Sequence, residues 1–355
     1  MAAPAKSLGA WRALGLALAL GAGGGFVFSR LHLPLAWMLG AMCATTVTAL
    51  AGAPVRVPPG LRLAMIGVLG VMLGSAFRPE VFAHAGRWTV SLSSLFVFVF
   101  LVAVVVGLYF RRVAGYDRTT AFFSAIPGGL SEMIVVGGTL GGDDRSIALT
   151  HASRILLVVL VVPFWFRLVE GYVPGMRPPG PAFATLPWDE LGLLAGSGVV
   201  GFLVARGVRL PSPALIGPMA LSALIHLTGL SAARPPAEAV IVAQVVIGAA
   251  IGCRFAGVAL ARVAGAMLAA TGSTALMLGL CVTVAALLHA ATGLPGDALV
   301  LAFAPGGLAE MSLIALALGI DPAFVSLHHI VRIFIVIIVA PTAYRLVYRR
   351  TGADD

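Results

Sequence analysis

"AIPGGLSEM" at Ala125–Met133 returns, little changed, as "FAPGGLAEM" at Phe303–Met311. Each copy sets a Pro-Gly-Gly break and a glutamate inside an apolar segment. Proline removes a backbone donor and clashes with a continuing helix, and paired glycines permit turns closed to other residues. In hydrocarbon an interrupted backbone is tolerated only where protein or a wet cavity surrounds it. Pro127, Gly128 and Gly129, with their counterparts Pro305, Gly306 and Gly307, therefore predict two helix breaks inside the protein.

The surrounding chain fits that setting. It has 355 residues, of which 60% are hydrophobic and 10% charged, and a mean hydropathy of +1.03. Soluble domains carry about 25% charged residues, so the composition predicts an all-α polytopic membrane protein. Apolar segments fall at roughly 10–29, 34–51, 61–77, 88–110, 119–140 and 146–169, then at 191–206, 211–230, 237–256, 264–291, 298–318 and 323–347. Between the two sets lies a Pro-rich connector. The net charge of +9 comes from basic residues standing singly or in pairs at segment ends. That pattern is a topology signal, and without a basic helix or an aromatic platform no direct nucleic-acid partner is expected. Cys43, Cys253 and Cys281 have no CxxC spacing and read as small interior residues rather than a disulfide or metal set. The N-terminal apolar run is too long for a signal peptide and reads as an uncleaved first span.

Six segments, a connector and six more indicate a duplication. Laying Pro127–Val169 on Pro305–Val347 without a gap gives 19 identities in 43 positions. Apolar bias cannot explain the matched Glu132/Glu310, Asp143/Asp321, His151/His329, Arg154/Arg332 and Pro163/Pro341. Further upstream, "LPLAWMLGAM" (Leu33–Met42) aligns with "LPSPALIGPM" (Leu210–Met219), and "GSAF" with "GCRF". The expected organisation is one membrane repeat over 1–170, a linker over 171–190, a second repeat over 191–350 and a tail over 351–355. If every segment crosses, loop Lys/Arg divide 13 against 8; if both Pro-Gly-Gly segments re-enter, they divide 15 against 6. The sharper split favours inverted repeats, about ten crossings, two broken or re-entrant segments and both termini in the cytoplasm.

The breaks carry the chemistry. N–H groups just past each break form the positive end of a half-helix, able to hold an anion or polar group, and the glycines let a ligand approach the backbone. Ser131 adds a hydroxyl that Ala309 lacks. Glu132 and Glu310 lie within one turn of the breaks, placed to bind a cation or carry a coupled proton. His151 and Arg154 share a helical face in the following span, as do His329 and Arg332. Charges at the bilayer centre cost about 2.5–3.5 kcal/mol each, so the glutamates and arginines must be paired, protonated or near water. Glu132–Arg154 and Glu310–Arg332 are candidate pairs, with cross-pairing equally allowed. Plainer readings stand beside these: breaks as packing kinks, Glu–Arg pairs as structural ion pairs, and histidines as satisfied interior groups. Asp143 and Asp321 read as helix caps. Gln244 is a polar residue within a span whose counterpart in the first repeat is Ile66.

The tandem "AIPGGLSEM…LTHASRILLVVLVVP" and "FAPGGLAEM…SLHHIVRIFIVIIVAP" resemble the bacterial membrane AbrB-duplication family over nearly the whole chain. The resemblance implies a multi-pass protein of the bacterial inner membrane, with labels that include AbrB-type regulator and ammonia monooxygenase. An oxidase needs clustered nitrogen or sulfur ligands, and no H-x-x-x-H or similar set occurs among the histidines. No catalytic residue, metal ligand or cofactor is therefore assigned, and the chain is not expected to be an enzyme. The expected function is a secondary transporter of a small polar or anionic solute, coupled to H⁺ or Na⁺, since no GxxxxGK[ST] motif supplies ATP binding. A membrane sensor that regulates gene expression through a partner is the alternative, and a membrane enzyme ranks last. Expected partners are the solute or ion and the lipid bilayer; GxxxG-like spacings such as Gly248–Gly252 fit tight helix packing and leave open whether the chain forms a homo-oligomer.

Overall fold

The computed structural model describes residues 4–79, 85–171 and 180–349, with side chains at all of these except 4–8, 85, 130–131 and 345–349. Among the described residues the secondary structure is helical throughout, and seven helices are long and apolar enough to cross a membrane. The protein is an α-helical membrane protein. Its helices are α1 (Pro4–Arg30), α2 (Ala36–Leu50), α3 (Pro59–Gly74), α4 (Ala85–Arg112), α5 (Arg118–Ala125), α6 (Leu130–Thr139) and α7 (Asp144–Val169). They continue as α8 (Trp188–Gly207), α9 (Pro213–Leu227), α10 (Ala237–Gly252), α11 (Leu260–Thr292), α12 (Gly296–Phe303), α13 (Leu308–Leu318) and α14 (Pro322–Arg349). Pro163 and Pro341 sit inside α7 and α14 without ending them. The expected linker ends early: Pro187 caps α8, and Asp189 and Glu190 occupy its first turn, where a helix favours acids.

The chain forms two compact units, and neither is a sequence half. Unit 1 takes residues 1–82, 159–263 and 312–323, and unit 2 takes 83–158, 264–311 and 324–355. The interleaving has a packing reason, visible in unit 1. Gly24 lies against the Gly40 carbonyl, and Gly201 against that of Gly217, so α1 packs on α2 as α8 packs on α9. The third helix of each set then docks on the second helix of the other. Gly70 and Gly74 of α3 rest on the Leu215 and Met219 carbonyls of α9, and Gly248 and Gly252 of α10 rest on those of Met38 and Met42. Such close approach needs glycine, because a Cβ at any of these positions would strike a backbone oxygen. The left-handed residues correspond as well: His32 (φ 51) and Leu35 (φ 46) before α2, Arg209 (φ 57) and Ser212 (φ 46) before α9.

Unit 1 also draws several connecting segments together. The Arg167 Nη1, near the end of α7, donates to the His32 carbonyl at 2.7 Å. A cavity of about 740 Å³ is lined there by residues near 29–37, 75–76, 180, 234–244 and 313–322.

In unit 2 the first Pro-Gly-Gly segment is a hairpin. A continuous helix would hold Phe123 and Gly137 about 20 Å apart. Instead, a Cβ on Gly137 would lie 3.2 Å from the Phe123 Cβ, and the Asp143 amide donates to the Thr120 Oγ1 at 2.8 Å. α6 thus returns to the level at which α5 began. Around it, Phe98 packs edge-on to Phe303 and Trp88 to Phe324, with ring centroids 5.2 and 5.4 Å apart.

Candidate functional site

Both breaks fall at the predicted Pro-Gly-Gly positions, and both belong to unit 2. Gly129 is the N-cap of α6, and Glu132 and Glu310 occupy the first turns of α6 and α13. Each carboxylate folds back over its own break: a Cβ on Gly129 would strike the Glu132 Oε2, and one on Gly307 the Glu310 Oε2. A carboxylate there lies at the positive end of its helix, and glycine leaves it the room. Glu310 is buried and Glu132 half-buried. The Ser131 side chain lies outside the described residues, and Ala309 is buried. Asp143 and Asp321 cap the following helices, accepting from the amides of Arg145 (3.1 Å) and Ala323 (2.9 Å).

Histidine and arginine brace each break in the same way. The His151 Nε2 donates to the Phe123 carbonyl and the His329 Nε2 to the Leu301 carbonyl, both at 2.9 Å. The Arg154 Nη1 donates to the Ile126 carbonyl at 3.3 Å and the Arg332 Nη1 to the Ala304 carbonyl at 2.6 Å. In all four bonds the acceptor lies 28 residues before the donor. The acceptors are carbonyls at the ends of α5 and α12, which lose their own helical partners where the chain breaks. Arg332 makes two further contacts, from Nη2 to the Gly306 carbonyl (2.7 Å) and to the His329 Nδ1 (2.9 Å). A guanidinium only donates, so the His329 Nδ1 accepts and the ring is the neutral Nε2–H tautomer. With both nitrogens engaged, His329 is a brace.

The expected Glu–Arg pairs are not formed. Among the described residues neither Arg154 nor Arg332 is ion-paired with a glutamate, although both arginines are 97% buried at a relative exposure of 3%. The Nε of each is buried with no hydrogen-bond partner. The cause is local: each glutamate turns to its own helix N-terminus, and the carbonyls freed by the breaks take the guanidinium groups. Arg332 is a like-charged neighbour of Arg154. The first break also adjoins α14, since a Cβ on Gly128 would strike Val336 Cγ1, one turn past Arg332. Unit 2 therefore holds two helix interruptions, two half-helix ends and two guanidinium groups that, among the described residues, have no carboxylate partner.

At the open end of the hairpin, the Tyr116 hydroxyl bonds to Thr150 Oγ1 at 2.9 Å, and its ring stacks on Phe110. Burial raises that hydroxyl above its ordinary pKa, while the Thr150 bond acts in the opposite sense. The cavity in unit 1 contains none of the break residues. Among the described residues no three His, Cys, Asp or Glu side chains are grouped as metal ligands. Sequence reasoning missed the role of the backbone at Ile126, Ala304 and Gly306 as guanidinium acceptors, which no side-chain motif marks.

Apolar helices of membrane-spanning length and twin interrupted segments braced by buried arginines define a polytopic α-helical membrane protein. The chain belongs to the family described as transition state regulatory protein AbrB, whose family model matches residues 37–348. It is similar to the protein YhjN of Bacillus subtilis (strain 168), with 29% identity covering 94% of this chain and 93% of that one. It is also similar to a protein of Escherichia coli (strain K12) that carries an AbrB regulator name, with 25% identity covering 90% of this chain and 92% of that one.

Proposed function

We propose that the protein is a secondary transporter of a small polar or anionic solute, with its site at the two Pro-Gly-Gly breaks and with H⁺ or Na⁺ as the coupling ion. The observation that carries this reading is the pair of buried arginines, Arg154 and Arg332, which have no carboxylate partner among the described residues and are held at the breaks by backbone carbonyls. Buried charges left without counter-ions are costly, and an incoming anion supplies what the protein withholds. The half-helix ends reinforce the same sign of charge. Glu132 and Glu310, at the mouths of these ends, are the candidate coupling groups.

The reading includes an inverted arrangement in the inner membrane, with about ten crossings and both termini cytoplasmic. The first hairpin supports it directly. For the second segment, Gly272 of α11 lies against Tyr109 near the end of α4, and Tyr344 of α14 bonds to Thr119 at the start of α5. From that level α11 runs on to Thr292 and α14 reaches back to Pro322. Each stretch is about 30 Å of helix, the length of one crossing, which supports reading the second segment as entering and leaving on the opposite side.

The test is solute-dependent H⁺ or Na⁺ flux in proteoliposomes. Glu132→Gln and Glu310→Gln are expected to insert normally and to abolish the coupled ion movement. Unchanged flux in both variants would remove the coupling role. The regulator name on the Escherichia coli relative favours a second reading, a membrane sensor acting through a partner. Co-purification of a specific soluble protein together with absence of flux would favour it. No catalytic role is proposed for any residue.

A further inference from the structure

Gln244 is a polar residue that the breaks leave unused. It faces the 740 Å³ cavity of unit 1 from α10, half-buried, and among the described residues its carboxamide has no protein partner. At the rim stand Arg234, exposed, and Asp321, half-buried. Asp321 gives one oxygen to the Ala323 amide as a cap and keeps the other. Among the described residues Arg234 and Asp321 form no ion pair, which places their charged atoms more than 4.0 Å apart. The walls are mostly apolar, with Trp37, Ile241 and Leu313 among the lining residues and Ser29, His32 and Ser75 beside them. Ligand sites combine such a volume with apolar walls and a few placed polar groups.

We infer that this cavity is a binding site for a short apolar peptide of two or three residues, taken up at the rim. The guanidinium of Arg234 matches a terminal carboxylate, and the free Asp321 oxygen matches a terminal ammonium. The Gln244 carboxamide offers one donor edge and one acceptor, the complement of a peptide bond. Apolar side chains of the peptide lie against Trp37, Ile241 and Leu313. Because Ile66 stands where the first repeat would supply the equivalent of Gln244, the amide contact exists once in the chain. The inference stands apart from the transport site at the breaks, which shares no residue with this cavity.

Calorimetric titration of the detergent-purified full chain with the dipeptide Leu-Leu tests it. Leu-Leu is expected to bind, and N-acetyl-Leu-Leu and Leu-Leu amide each to bind about tenfold more weakly, the scale of one hydrogen bond or charge contact. Gln244→Ile, which imitates the other repeat, is expected to weaken Leu-Leu binding about tenfold. Asp321→Asn, which keeps the cap acceptor, is expected to weaken Leu-Leu but not its N-acetyl form. Should Asp321→Asn fail to fold, the N-acetyl peptide on the unaltered protein tests the same contact, and should Gln244→Ile fail to fold, Gln244→Leu replaces it. Absence of binding, equal affinity for all three peptides, or unchanged affinity in Gln244→Ile overturns the inference. Loss of Leu-Leu binding in Glu310→Gln with none in Gln244→Ile would move the ligand to the breaks and overturn it too. Loss of ion flux in Glu310→Gln with peptide binding intact upholds both sites separately.

Discussion

Arg154 and Arg332 occupy matching places but hold their breaks unequally, and the inequality predicts different costs of removal. Replacing either by methionine deletes one buried guanidinium of similar size, so the gain from no longer burying a charge, about 2.5–3.5 kcal/mol at a bilayer centre, is common to both variants. What differs is the set of bonds lost. Arg154 gives up one contact of 3.3 Å to Ile126, whereas Arg332 gives up bonds to Ala304, Gly306 and His329 at 2.6, 2.7 and 2.9 Å. At about 1.5 kcal/mol for each bond from a charged donor, two extra bonds make Arg332→Met less stable than Arg154→Met by about 3 kcal/mol. For a unit of this size that difference is worth roughly 6–12 °C in melting temperature. Thermal unfolding of the two variants in the same detergent measures it, read from intrinsic fluorescence. Equal melting temperatures, or a lower one for Arg154→Met, would refute the assignment of Arg332 as the brace of the second break.

Two other substitutions test the packing. Gly24→Ala drives a Cβ into the Gly40 carbonyl, whereas Gly23→Ala meets nothing within 4 Å. The first is expected to cost about 1–3 kcal/mol and the second to be neutral or slightly stabilising, as purified yield and thermal stability will report. Gly128→Ala strikes the Val336 side chain rather than backbone, so Val336→Ala is expected to rescue it. A double-mutant cycle on stability should show coupling of about 1 kcal/mol or more, and strict additivity would separate the first break from α14.

The helices and the two breaks were legible because their causes are local. Composition marks the apolar segments, and Pro-Gly-Gly forbids a continuous helix whatever surrounds it. The matched His151/His329 and Arg154/Arg332 pointed to equivalent roles, and the bonds they make recur at the same 28-residue spacing. The partners of those arginines were not legible. Charge complementarity suggests Glu132 and Glu310, but it says nothing of carbonyls freed by a break, which carry no side-chain signature. The division into units was hidden for a related reason. Contacts such as Gly74 on Met219 and Gly252 on Met42 join the first and second halves of the chain, and a boundary drawn along the sequence gives no sign of which helix docks on which.

The central claim is that both interrupted segments enter the membrane and return, which brings their breaks to one site from opposite sides. Labelling with a membrane-impermeant maleimide tests it, using single cysteines at 118, 145, 296 and 320 in a background with Cys43, Cys253 and Cys281 replaced. The account predicts that 118 and 145 react together from the cytoplasmic side and that 296 and 320 react together from the opposite side. Reaction of either pair from two different sides would contradict it.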